Sequence, residues 1–171
     1  APFYDIDTAS IAIRLKNEDA LRYGLSALPY SGEEVYRAKS HFNNFSEVLT
    51  GKSATKKKFK DLAAQYKIIH LATHGQANHK DGDFSFLAFS DAESYSKLGL
   101  MTVAELYNLQ LNADLVILSA CETATGQRIH GEGVISLARA FAYAGAKSIV
   151  ASLWKVNDKS TMQIMDNFYK E

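Results

Sequence analysis

Along the 171 residues, apolar positions fall into two kinds of pattern. Three short runs, Lys67-Ile68-Ile69-His70-Leu71-Ala72, Asp114-Leu115-Val116-Ile117-Leu118-Ser119 and Ser148-Ile149-Val150-Ala151-Ser152-Leu153, are nearly continuous and rich in Ile, Val and Leu. Runs of this kind predict strands buried on both faces, as in a parallel sheet. Between them, apolar residues recur at helical spacing. Ser31 with Glu34, and Thr102 with Glu105, read as capping boxes. Thr55 reads as the cap of a helix carrying Phe59, Leu62, Ala63 and Tyr66. A further helix places Val134, Ile135, Ala138, Phe141 and Ala142 on one face and stops at Gly145. A last helix starts at Asp158 or Ser160 and bears Ile164, Met165 and Phe168. Residues 84–101 interrupt the rhythm with Phe86-Leu87-Ala88-Phe89 and Leu98-Gly99-Leu100, a small β-hairpin. Ile11, Ile13 and Leu15 alternate as in a strand. Strands alternating with helices predict an α/β protein whose mainly parallel central sheet is covered by helices on both faces.

Composition narrows this picture. An apolar share of 47% with 22% charged residues is that of a folded globular chain. Equal numbers of basic and acidic residues create no global field that would draw in nucleic acid or an anionic membrane. The basic run Lys56-Lys57-Lys58 reads as a solvated helix face. No apolar stretch approaches the roughly 18 residues of a membrane span, and no leader pattern opens the chain, so the expected compartment is the cytoplasm. Residues 1–171 read as one domain. The odd opening Ala1-Pro2-Phe3-Tyr4 and an uncapped helical pattern at Glu171 suggest a piece of a longer protein, incomplete at one or both ends. The single cysteine, Cys121, cannot form an internal disulfide or a Cys-rich zinc site, so it is either a small buried hydrophobe or a reactive thiol.

Context favours the thiol. The first strand runs into Thr73-His74-Gly75 and the second into Ser119-Ala120-Cys121, so both polar residues sit at carboxyl ends, where open α/β sheets bind ligands. On neighbouring strands about 4.8 Å apart, imidazole and thiol would share one cleft, as a Cys-His nucleophile requires. A thiol of pKa about 8.5 is activated by a nearby imidazolium, and the histidine can then protonate the leaving amine. Gly75 has no side chain to obstruct substrate, so its N–H and that of Cys121 are candidate oxyanion donors. No metal or cofactor is expected. His70, His74 and His79 lack the Glu of a helical zinc motif, and His70 reads as a satisfied core or near-site residue. His41 and His130 show no partner in the sequence and carry no assigned role. Gly51-Lys52-Ser53 lacks the earlier glycine of a phosphate loop, Ser46 standing there, with a helical pattern before it. Gly131-Glu132-Gly133 likewise lacks its third glycine, and residues 123–133 read as a mobile loop beside the cleft.

These residues resemble a known family. An apolar strand ending in His74-Gly75, followed by one ending in Ala120-Cys121, is similar to the caspase-like cysteine peptidases. In caspases the histidine lies about 50 residues before the cysteine; here the separation is 47. His70-Leu71-Ala72-Thr73-His74-Gly75, Leu118-Ser119-Ala120-Cys121-Glu122-Thr123, Gly131-Glu132-Gly133, Ala138-Arg139-Ala140-Phe141 and Ala151-Ser152-Leu153-Trp154 look like the bacterial CHAT peptidase family, from about Leu28 to the end. The resemblance implies a caspase-like three-layer α/β/α sandwich, a dyad of His74 and Cys121, protein or peptide substrates, and fusion to or partnership with tetratricopeptide repeats or another regulatory module. Glu122-Thr123 after the cysteine departs from caspases, and Ser119 stands where arginine-cutting relatives carry an acid, so neither specificity transfers. Trp154 and Asp158 are candidates to line the substrate groove; packing for the first and helix capping for the second are equally open. The expectation is a regulated cysteine endopeptidase, with a catalytically silent interaction domain as the alternative.

Overall fold

The computed structural model describes residues 2–5, 28–42, 46–76, 85–90, 99–119, 121–122, 132–152 and 156–171, with the backbone alone at 2–5, 76, 121–122 and 132–135. Strands β1 (Pro2–Asp5), β2 (Glu47–Leu49), β3 (Ile68–Ala72), β7 (Leu115–Leu118) and β9 (Ile149–Ala151) form one sheet in the order β2-β1-β3-β7-β9. Every pairing in it is parallel. The three apolar runs supply β3, β7 and β9, side by side as their composition predicts. Pro2–Asp5 and Glu47–Leu49 are additions. Neither is long enough to show a period, and each acquires its identity by pairing.

Alternation along the strands sorts their side chains into two layers. Ile69, Leu71, Val116 and Leu118 join one apolar cluster with Phe59 of α2 (Lys56–Leu62), Leu106 of α3 (Val103–Tyr107), and Leu137 and Phe141 of α4 (Glu132–Tyr143). His70 and Ala72 point the other way. There α1 (Ser31–Ser40) packs on β1, β2 and β3 and against α5 (Asp158–Phe168), with Val35 and Ala38 meeting Ala72. The result is the expected α/β/α sandwich. A second sheet has the order β6-β5-β4-β8, built from β4 (Gly75–Gln76), β5 (Phe86–Ala88), β6 (Leu100–Thr102) and β8 (Cys121–Glu122). Its β5 and β6 are antiparallel, as anticipated for this stretch.

Several local expectations change. The Thr102 and Glu105 capping box forms, and Thr55 accepts from the Lys58 N–H. Ser31, however, is the first residue of α1 and caps nothing; its hydroxyl donates to the Leu28 carbonyl, and Glu34 turns into the core. The cap of α5 is Asn157, whose side chain accepts from the Ser160 N–H. The buried face of α4 runs through Leu137, Ala140 and Phe141, leaving Ala142 exposed. On α5, Thr161, Met162 and Met165 are buried while Ile164 and Phe168 are exposed. In both helices the buried stripe is rotated from the sequence reading, because the neighbouring layer decides which of two adjacent apolar rows it covers. A strand, not a helix, precedes Gly51-Lys52-Ser53.

Lys56 is not a free surface cation. Its ammonium donates to the Leu100 carbonyl and to Glu105, tying α2 to β6 and α3. Burial raises the Glu105 carboxyl, but the bonds from Lys56 and the Thr102 N–H outweigh it and the net shift is downward. Gly145 ends α4 with φ +113°, a conformation that side chains rarely adopt, and a Cβ there would collide with the Leu111 carbonyl. The alternating Ile11, Ile13 and Leu15 lie outside the described residues.

Candidate active site

β3 and β7, the two strands expected to deliver the histidine and the cysteine, are neighbours at the centre of the sheet. Each continues past a short break into the second sheet, β3 into β4 and β7 into β8, and the continuations pair again in parallel. Gly75 lies opposite Cys121 and Gln76 opposite Glu122. The carboxyl ends of β3 and β7 therefore lead directly into a second, smaller sheet. Of the two sequence candidates, His74 lies in the step between the sheets and Cys121 is the first residue of β8.

The step is asymmetric. Partners are 47 positions apart in β3 and β7, as for Leu71 with Leu118, and 46 apart in β4 and β8, as for Gly75 with Cys121. Between the pairs Leu71–Leu118 and Gly75–Cys121 the first chain thus has three residues, Ala72 to His74, and the second has two, an arrangement of the β-bulge type. His74 and Cys121 are themselves 47 apart. A ladder kept in its first register would set them directly opposite, whereas the extra residue puts Gly75 there and leaves His74 one step earlier. Gly75 places no side chain beside Cys121.

The His74 segment is held from the other side by β5. The Thr73 hydroxyl donates to the Ala88 carbonyl at 2.6 Å, and the Ala88 N–H donates to the His74 carbonyl at 2.9 Å. Thr73 and His74 are both buried. Ser119 and Ser152 follow β7 and β9 at the same edge of the sheet. Their hydroxyls are buried without a hydrogen-bond partner among the described residues.

Four residues before His74 on the same chain, His70 does something different. It is fully buried; its Nε2 lies 2.8 Å from a Glu34 carboxylate oxygen, and the Tyr169 hydroxyl lies 3.1 Å from its Nδ1. With the proton on Nε2, the ring donates to Glu34 and accepts from Tyr169, and all three groups are satisfied. Burial pushes the Tyr169 phenol well above its usual range and the Glu34 charge adds to this, so it remains a donor. This bears out His70 as a satisfied core histidine. The triad was not legible in the sequence: Glu34 looked like a capping residue, and Tyr169 carried no signal. Among the described residues no group of His, Cys, Asp and Glu is placed to hold a metal ion.

Asp158, a candidate for the substrate groove, is the first residue of α5, and its carboxylate accepts the Tyr30 N–H at 2.7 Å. Burial raises its pKa, the Tyr30 bond lowers it, and the charge of Glu34 raises it again; the net direction is upward. His41 pairs with Asp166 at 2.9 Å, and hydrogen bonds from Lys170 and His41 hold that carboxyl down at about 2. Trp154, His130 and most of the loop 123–133 lie outside the described residues.

A three-layer sandwich whose adjacent central strands carry His74 and Cys121 at their carboxyl ends has the architecture of the caspase-like α/β class. The chain belongs to the CHAT domain family, whose model matches residues 6–171. Tetratricopeptide repeat protein 28 of Mus musculus is 26% identical over 203 aligned positions, which cover 98% of this chain and 8% of that protein. The Homo sapiens protein of the same name matches with the same identity and coverage. This chain therefore spans 8% of the length of the curated relatives it matches. Among solved structures, a flavodoxin of Streptococcus pneumonia TIGR4 aligns with a TM-score of 0.49 at 12% identity, covering 100% of this chain and 97% of that one. No helix among the described residues is long and apolar enough to cross a membrane.

Proposed function

We propose that this CHAT domain is a cysteine endopeptidase acting on protein or peptide substrates, with Cys121 as nucleophile and His74 as its acid–base partner. The observation that carries the reading is the parallel pairing of Gly75 with Cys121, one residue after His74. His74 draws the proton from Cys121, and the thiolate attacks the scissile carbonyl carbon. The tetrahedral oxyanion accepts from the backbone N–H groups of Gly75 and Cys121, each such donor contributing about 3–4 kcal/mol to transition-state stabilisation. His74 then gives its proton to the leaving amine, and a water activated by the same ring hydrolyses the acyl-enzyme. Trp154 and Asp158 line the substrate groove in this reading. Likeness to proteins named for tetratricopeptide repeats supports a regulatory module of that kind, fused or in trans, as the partner.

The test is covalent labelling by peptidyl acyloxymethyl ketones with varied first side chains, read by mass spectrometry at Cys121 in the full-length protein with any activating partner present. Labelling lost in His74→Ala, and dependent on the probe's side chain, is the expected result. Silence toward all probes across pH would return the domain to a binding role.

A further inference from the structure

We propose that Thr73 is the positioning residue for His74, acting through the bulge and not through substrate; this rests on the reading of His74 as the acid–base partner of Cys121. The change of register from 47 to 46 between the two sheets means that one surplus residue must be stored between Leu71 and Gly75. A stored residue is a soft point, because a ladder that slipped back into its first register would swing His74 to the place Gly75 now holds. Buried contacts oppose that slip from within the bulge. The Thr73 side chain, at 2% exposure, donates to the Ala88 carbonyl while the Ala88 N–H donates to the His74 carbonyl. Both main-chain polar groups of Ala88 are thus spent on Thr73 and His74. β5 is itself anchored, Leu87 opposite Gly75 on one side and opposite Met101 on the other.

A hydroxyl is the group suited to this. It reaches a carbonyl that lies beside the chain, where the backbone N–H of a regular ladder would otherwise serve, and β-branching restricts the rotamer that carries it. Valine keeps the shape and loses the donor, leaving the Ala88 carbonyl without that bond in a buried place. The effect then falls on the aim of the imidazole, and misplacement by about 1 Å costs on the order of 100-fold in rate.

The experiment measures the alkylation rate of Cys121 by iodoacetamide against pH in the full-length protein, quantified on the Cys121 peptide. It compares wild type, His74→Ala, Thr73→Val and Thr73→Ser, with thermal melting of each. In wild type a His74-dependent reactive arm is expected below the free-thiol range near pH 8.5. Thr73→Val is expected to reduce that arm by about 10-fold or more, and Thr73→Ser, which keeps the donor, to stay within about 3-fold of wild type. A wild-type profile in Thr73→Val overturns the proposal. So does a loss of about 10-fold or more in Thr73→Ser, since the methyl group and not the hydroxyl would then matter; that outcome is readable even where valine prevents folding. Absence of any His74-dependent arm in wild type would bring down the acid–base reading itself, and this inference with it.

Discussion

His70 and His74 lie four residues apart on one chain and answer to different parts of the molecule. His70 sits within a regular strand, turned toward α1 and α5, and both ring nitrogens meet groups from those helices, Glu34 and Tyr169. His74 lies past the strand's end, in the step where the register changes, and its backbone is held by the second sheet. On the proposed reading, the same residue type is a rivet in one place and a chemical tool in the other. What separates the two is their place: groups from α1 and α5 close over the first ring, while the second follows the strand's end, where the backbone crosses into the other sheet.

That contrast can be broken by mutation. His74→Ala is expected to lower peptidase turnover by about 10³-fold or more, as loss of an acid–base partner does, while the midpoint of thermal unfolding moves less than in Glu34→Ala; steady-state kinetics and calorimetry on the same samples check this. Glu34→Ala should do the reverse. It leaves His70 facing an empty buried site and should cost about 3 kcal/mol of stability by urea unfolding, with the Cys121 labelling rate of the folded fraction within a few-fold of wild type. Equal losses in both readouts for both variants would erase the distinction.

Smaller effects sharpen it. Tyr169→Phe removes one hydrogen bond from the triad and should cost about 1 kcal/mol, with no change in the pH profile of labelling. Asp158→Asn addresses the other end of α5. The Asp158 pKa is raised in the folded state, so the stability linked to it is full below the unfolded value near 4 and declines as pH rises through the folded one. An amide can still accept the Tyr30 N–H without ionising. Asn should therefore raise the melting midpoint at pH 7 by about 2 °C or less, and the gain should vanish below pH 4. A gain that persists at acid pH would place its cause elsewhere than in the desolvated charge.

Much of this architecture was legible in the chain. Continuous Ile, Val and Leu runs mark strands buried on both faces, because only such positions exclude polar residues from both sides. Hence β3, β7 and β9 were readable, as were the carboxyl-end positions of His74 and Cys121, and Gly145 announced the end of α4. Tertiary structure decided the rest. Pro2–Asp5 and Glu47–Leu49 are strands by virtue of their neighbours, since three or four residues carry no period of their own. Which stripe of α4 or α5 is buried depended on the layer beneath. Glu34 had the spacing of a cap but found a buried imidazole, whose hydrogen bond replaces the water that a surface carboxylate would keep. The bulge at Thr73 and His74 was hidden for the same reason. A surplus residue exists only relative to a partner strand, and one strand's sequence holds no record of the other's count.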